Sequence, residues 1–300
     1  SKSFYSSLNM NGLKNLTVII PCYQCKETIL ETLECLEDKM NIICIDDCSD
    51  DGTLEVLTNW GNKIPDRRKV IRHNQNKGLG ASRNTGVSKS KTKWVMFLDS
   101  DDIISSDCFN DLSKKWMSIK TSSGWCYHPY LEWNDLNKKE RLRKTDIIKE
   151  NHHLVTKRIP FSASGAIFRK DLIETIGGFD TDRNLEGTED LDLYMRLFNS
   201  GIKPFQWSKT PHTKYRTNKG MTKDVRQHGS KVLLRTKSFQ ESGWISSNEF
   251  NLAKKEIWRQ IARTEHKRGD FKEARESYKN SGNQLRCRIL YLLAFFKIKL

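Results

Sequence analysis

Three short, nearly unbroken apolar runs constrain the fold of this chain more than any other feature. They are Leu16-Thr17-Val18-Ile19-Ile20, Asn41-Ile42-Ile43-Cys44-Ile45 and Trp94-Val95-Met96-Phe97-Leu98, with Lys69-Val70-Ile71 a weaker fourth. Runs apolar at every position, rather than at alternate ones, belong to strands covered on both faces. Between them lie helical patterns: Ile29, Leu30, Leu33 and Leu36 within 26–39, Leu54 to Trp60, and Ala81 to Ser88 after the Gly78-Leu79-Gly80 break. Strands alternating with helices predict an α/β fold, with a Rossmann-like, mostly parallel sheet flanked by helices and right-handed crossovers. Ligands of such open sheets sit beyond the carboxyl ends of the strands. Two of the runs end there in acids, Asp46-Asp47 and Asp99-Ser100-Asp101-Asp102.

The later chain is less regular. Trp125 to Trp133 reads as strand and the charged stretch 137–149 as a surface loop. Ala166-Ile167-Phe168 reads as strand, followed by a short helix from Lys170 to Ile176 that Gly177-Gly178 stops. A helix from Thr188 to Phe198 carries acids in its first turn, with Thr188 as its cap. Phe205 to Trp207 reads as strand and 208–222 as loop. Beyond 250, Trp258, Ile261 and Ala262, then Phe271, Ala274 and Tyr278, fit the offsets of one tetratricopeptide-like helical hairpin. The expected division is an α/β domain over 14–222 and a basic helical extension over 223–300.

Charge separates the two parts. The chain of 300 residues has a formal net charge of +15, and residues 201–300 carry that entire excess, with 23 Lys+Arg against 8 Asp+Glu. A basic end of this kind meets an anionic surface such as a membrane or a nucleic acid. The last stretch, 285–300, places eight apolar residues, Ile289 to Phe296, between Arg286, Arg288, Lys297 and Lys299. It is too short to span a bilayer and suits an interfacial segment or a helix docked on the protein. The start, with no apolar signal-type core, reads as that of a cytoplasmic protein, with its eight cysteines mostly free thiols. Cys22-x-x-Cys25 with Cys44-x3-Cys48 loosely matches a zinc ribbon, but Cys44 falls inside a buried strand, where cysteine acts as a small hydrophobe.

The acids suit transfer of a group from a nucleotide diphosphate. Asp99 and Asp101, two positions apart in extended backbone, point the same way and offer hard oxygens to Mg²⁺ or Mn²⁺. Alternatively they form a solvated turn. Glu189-Asp190 offers a general base, or compensates its helix dipole. Asp46-Asp47 reads as a nucleotide contact or as part of a turn. Arg83 and Lys77 face a diphosphate or carry ordinary surface charge, the latter being the stronger reading for Lys77.

Six segments in order carry a resemblance: VIIPCYQ (18–24), IDDCSDDGT (45–53), NKGLGASRNTGV (76–87), WVMFLDSDD (94–102), IGGFD (176–180) and GTEDLDLYMRL (187–197). Together they closely resemble the family-2 glycosyltransferases, inverting enzymes of the GT-A fold within the nucleotide-diphospho-sugar transferase superfamily. The resemblance implies a metal-dependent glycosyltransferase that moves a sugar from a nucleotide-diphosphate donor, a UDP-sugar first, to a hydroxyl of a glycan or lipid-linked acceptor in cell-surface polysaccharide or glycoconjugate synthesis. Donor contacts would be Pro21, Tyr23, Asp47, Arg83, Asp99, Ser100 and Arg216. Asp99, Asp101 and Asp102 would hold the Mn²⁺ or Mg²⁺ ion. Asp190 would be the catalytic base with Glu189 beside it. The expected location is cytoplasmic, peripheral on the inner face of the plasma membrane, with an anionic membrane surface as partner and no specific nucleic acid. The chain departs from the family where a Tyr-Arg-x-His motif is usual, since Tyr215-Arg216-Thr217-Asn218 ends in asparagine. His212, nearby, reads as an exposed loop residue, and the 212–222 loop as a flap bringing Arg216 or Lys219 onto the diphosphate. Competing readings are a nucleotidyltransferase of related fold and a non-catalytic basic protein that binds membrane or nucleic acid.

Overall fold

Strand β1 (Leu16–Cys22) is buried along its whole length and sits in the middle of a seven-stranded sheet. In the computed structural model, which describes residues 13–143, 146–159, 161–217, 224–282 and 285–300, β1 pairs in parallel with β2 (Asn41–Asp46) on one side. On its other side it pairs in parallel with β4 (Trp94–Phe97). β3 (Arg68–Arg72) extends the parallel set beyond β2. The helical crossovers are α1 (Lys26–Glu34), α2 (Thr53–Gly61) and α3 (Leu79–Lys89). Ile29 and Leu33 of α1 and Leu57 and Trp60 of α2 turn into the core beside the strands.

Two glycines bring α3 unusually close to its neighbours. A Cβ on Gly86 would stand 2.3 Å from Cγ2 of Ile19, and one on Gly80 would stand 2.0 Å from the carbonyl oxygen of Asp180. Any side chain there would push the helix away from β1 and from the 176–187 segment. After β4 come β5 (Ile103–Ile104), α4 (Cys108–Lys120), β6 (Trp125–Tyr127), β7 (Tyr130–Asn134), β8 (Lys139–Leu142), α5 (His153–Thr156), β9 (Ile167–Arg169) and α6 (Lys170–Thr175). α7 (Glu189–Asn199), β10 (Phe205–Gln206) and β11 (Thr213–Arg216) follow. The large sheet runs β10-β6-β9-β4-β1-β2-β3, with β9 antiparallel to both its neighbours, and a second sheet runs β5-β11-β7-β8.

Several sequence expectations are corrected. The stretch 208–222 contains β11, parallel to β7. It was illegible because its two buried residues are polar, Thr213 and Arg216, the latter with its guanidinium 4.3 Å from the centre of the Trp133 ring. The charged 137–149 stretch contributes β8, antiparallel to β7. The first helix ends at Glu34, although Leu36 and Met40 remain buried. Thr188 precedes α7 but its hydroxyl donates to the carbonyl of Leu185 instead of accepting from the helix.

The chain divides into two units, 1–144 with 160–220, and 145–159 with 221–300. Segment 145–159 thus groups with the helical part, which a single boundary at 222 does not anticipate. The second unit is built on α8 (Val225–Glu241), α9 (Ser247–Arg268), α10 (Phe271–Asn280) and α11 (Leu285–Phe295). Ser246 and Glu249 close a reciprocal capping box at the start of α9. Ala262, Ala274, Tyr278 and Ala294 share its small core. Among the described residues no helix is long and apolar enough to cross a membrane.

Candidate active site

The registers of β2 and β4 against β1 bring their carboxyl ends to one edge of the sheet. Cys22 lies opposite Asp46, and Ile19 opposite Phe97. The acid clusters that follow β2 and β4 therefore border the same crevice, with Pro21 at the end of β1 and a half-exposed Tyr23 just past it.

Asp47 is buried and turned inward. Its carboxylate accepts from the backbone N–H of Lys77 (2.8 Å) and Gly78 (2.7 Å), and Nδ1 of His73 lies 2.6 Å away. The imidazole's Nε2 reaches the Thr85 hydroxyl at 2.9 Å. Asp47 thus fixes the turn into α3 and hence where that helix begins. Lys77 leaves its side chain exposed.

The second cluster is bound to α3 and to α7. The Arg83 guanidinium is 1% exposed and bridges two carboxylates, Asp99 at 2.8 Å and Glu189 at 2.5 Å. The other Glu189 oxygen accepts from the Gly187 N–H at 2.7 Å. Both Glu189 oxygens are thereby engaged. Asp190, its neighbour, accepts from the Leu191 N–H at 2.7 Å and keeps partial exposure. Burial, then the charge of Glu189, push the Asp190 carboxyl up to about 7 against the pull of Arg83. Asp99 adds to that rise, so the two clusters feel one another's field.

Asp102 is fully buried. One oxygen accepts from the Arg216 N–H at 2.9 Å, while Oδ2 has no hydrogen-bond partner. Burial, then Asp99 and Asp101, raise its carboxyl well above the ordinary range. A buried carboxylate oxygen without a donor, amid like charges, is the environment a cation relieves. The three acids do not form a closed cage; among the described residues the His, Cys, Asp and Glu group with ligand atoms within 4.8 Å of one another is Glu150, His152 and His153. Mg²⁺ or Mn²⁺ needs only one or two carboxylates beside water and phosphate oxygens, so Asp99, Asp101 and Asp102 fit such an ion.

A family model described as glycosyl transferase family 2 matches residues 17–177, more than half of the chain and including the crevice acids from Asp46 to Asp102. The chain belongs to that family. EpsE of Bacillus subtilis (strain 168), provisionally named a glycosyltransferase, is 24% identical over 208 residues, 65% of this chain and 71% of EpsE. Poly(ribitol-phosphate) beta-N-acetylglucosaminyltransferase TarS of Staphylococcus aureus is 29% identical over 105 residues, 33% of this chain and 18% of TarS. Several curated relatives are matched over a minor part of their own length, as with TarS. The crystal structure of TarS 1–349 with UDP-GlcNAc aligns at a TM-score of 0.59 and 16% identity over 95% of this chain and 88% of that one. A mannosyltransferase from Pyrobaculum calidifontis, PcManGT, in complex with GDP-Man and Mn²⁺, aligns at 0.57 and 16% identity over 98% and 87%. The fold is therefore GT-A, and the protein a family-2 glycosyltransferase.

Some residues of the transferase lie elsewhere than expected. Arg216 does not project over a donor. Its Nε donates to the Asp101 carbonyl at 2.7 Å, one amino group pairs with Glu31 at 2.6 Å and the other with Asp135. The guanidinium is consumed in joining β11 to the acid turn and to α1. His212 is buried rather than exposed, stacked on Trp207 at 5.3 Å. Asn218 and Lys219 lie outside the described residues. Ser100 has its hydroxyl by the Cys25 thiol. The cysteines are free thiols; the Cys22 thiol donates to the Ile20 carbonyl at 3.4 Å, and the thiols of Cys25 and Cys44 lie beside it. Tyr215 entered the sequence reading only as the first residue of the Tyr-Arg-x-His comparison, with no role of its own. Burial, then Asp102, Asp99 and Asp101, raise its phenol, which sets β11 directly against the acids. Tyr194 was missed as well; it is buried under the same field, Asp190 foremost, and stacks on Trp125 at 5.0 Å. Burial along Thr213-Lys214-Tyr215-Arg216 does not alternate, so no periodicity marked Tyr215. Tyr194, on the apolar side of a regular helix, offered no signal either.

Proposed function

We propose that this enzyme is an inverting, metal-dependent transferase that moves a sugar from a nucleotide-diphosphate donor, UDP-linked first, to a hydroxyl of a glycan or lipid-linked acceptor in cell-surface polysaccharide synthesis on the cytoplasmic side. The observation that carries this reading is the Arg83 bridge between Asp99 and Glu189, which ties the acid turn after β4 to the helix that begins with Glu189-Asp190. Donor and base would then share one crevice. The UDP-GlcNAc and GDP-Man bound by the two structural neighbours support a nucleotide sugar as donor, and the poly(ribitol-phosphate) in the name of TarS supports a polymeric acceptor.

The residues divide the work. Pro21, Tyr23 and Ser100 line the nucleotide end of the crevice, while the buried Asp47 acts there by holding the turn into α3. Asp99, Asp101 and Asp102 would hold a divalent cation, which when bound neutralises the charge of the leaving diphosphate. Asp190 takes the proton from the acceptor hydroxyl as that oxygen attacks the anomeric carbon from the face opposite the diphosphate. A single displacement of this kind inverts the centre and needs one base. Glu189, with both oxygens engaged, positions Arg83 and leaves the proton to Asp190.

Asp190→Asn tests this. Donor affinity by calorimetry should stay within about twofold, while turnover falls by about 10²–10⁴. A nucleotidyltransferase has no need of that carboxylate, so unchanged turnover would overturn the assignment.

A further inference from the structure

Helix α11 is apolar on two opposite faces, and only one of them is covered. Cys287 and Ala294, seven residues apart, are each 1% exposed, and Ala294 packs with Ala262, Ala274 and Tyr278. On the other side Leu285, Ile289 and Leu292 recur at helical spacing, and Phe296, whose N–H bonds the Leu292 carbonyl, continues the row. Their exposures are 75%, 49%, 52% and 68%. Single exposed apolar residues are ordinary, whereas a contiguous stripe on one helix marks a contact surface.

Charge accompanies the stripe. At about 100° per residue, Arg286 and Arg288 fall on its two shoulders. Lys297 and Lys299 follow it, and residues 285–300 contain no acid. In the same unit lies Arg263 of α9, partly buried. Its burial, then Arg286 and Arg259, hold its guanidinium below the usual range, with Arg158 adding to the same field. Arg259 is paired with Glu256, while Arg263 and Arg286 have no carboxylate partner among the described residues. Crowded, unpaired arginines await an anion with several oxygens.

We propose that this surface docks on an anionic phospholipid bilayer, with the outward stripe of α11 among the acyl chains and the arginines on the phosphate headgroups. An apolar stripe between cationic shoulders matches an interface that is apolar below and anionic above. The helix is about 16 Å long at 1.5 Å per residue, so it lies in the interface and does not span. A second copy of the chain fits poorly, because an isologous contact would bring two strongly basic surfaces together. A nucleic acid would use the arginines but leave the stripe in water. The proposal goes beyond the transferase reaction and does not depend on it.

The test is flotation of the full chain with vesicles of phosphatidylglycerol and phosphatidylcholine. The protein should float with mixed vesicles and much less with phosphatidylcholine alone. Leu292→Ser with Phe296→Ser, both outward, should leave the circular dichroism and Tm unchanged and lower the partition coefficient at least tenfold. Arg286→Gln and Arg288→Gln should each lower it about fivefold on anionic vesicles. The proposal is overturned if the double serine variant floats like the parent, or if the parent ignores phosphatidylglycerol. It is equally overturned if the parent forms a dimer that the serines abolish without binding vesicles, or binds RNA but no vesicles. Lost transfer activity with flotation intact would count against the proposed reaction alone.

Discussion

Asp190 is held between opposing influences, and its protonation follows from their balance. Burial and Glu189 raise its carboxyl to about 7, from an ordinary 3.8. A base acts only when ionised, so kcat/KM should fall about tenfold per pH unit below about 7 and level off above it. Stability runs the other way. The folded state binds this proton more tightly than the unfolded chain does, so the contribution is fully present below about 3.8 and lost as pH rises through about 7. Asp190→Asn should therefore melt higher than the parent at pH 8, with the gap closing toward pH 4. A pH series of thermal melts on both proteins checks this, and a gap constant in pH would contradict it. The sequence offered Asp190 and the acids at 99–102 because they follow regular elements. It did not reveal the bridge between them, because an arginine at position 83 in a polar helix reads as a diphosphate contact or as surface charge until Gly80 and Gly86 press that helix inward.

The elements carrying the site depend on such close approaches and on buried ion pairs. In Gly80→Ala the new Cβ would meet the Asp180 carbonyl oxygen at 2.0 Å, and backbone cannot swing aside as a flexible side chain can. A cost of about 1–3 kcal/mol is expected, read from urea denaturation, with a drop in kcat as α3 and Arg83 shift together. Arg216→Ala removes the group that joins β11 to Glu31, Asp135 and the Asp101 carbonyl. Removing one partner of a buried pair costs about 3–5 kcal/mol. Glu31 is half in water, so about 2–4 kcal/mol is the expectation once that screening is allowed for. Arg216→Lys should not restore it, since an ammonium cannot reproduce the planar fork. The same residue explains why β11 was illegible. An arginine buried by stacking on tryptophan reads as polar, so a strand looked like a loop. β1, β2 and β4, nearly unbroken in apolar residues, had no such disguise, and the parallel half of the sheet was legible before the antiparallel β9 and the second sheet.

At the scale of the molecule, ligand binding and folding stability are linked through the first unit. Asp99, Asp101 and Asp102 crowd negative charge around a buried oxygen with no donor, a standing cost to the fold that a bound cation removes. The diphosphate of a donor would in turn need that cation, because the acids alone would repel it. Binding of the two should therefore be mutually dependent, and coupling of this kind is reciprocal. A donor at 100 times its Kd stabilises the protein that binds it by about 2.7 kcal/mol. In a thermal-shift series the correct nucleotide sugar with Mn²⁺ should raise Tm by several degrees. The same sugar in chelator should raise it little, and Mn²⁺ alone only modestly. Asp102→Asn keeps the shape of the turn but removes the negative charge of that side chain, so its own Tm should rise while the joint shift from sugar and Mn²⁺ collapses. That opposite pair of changes separates a cation site from a merely strained acidic turn, for which Asp102→Asn would stabilise the fold and leave the joint shift intact.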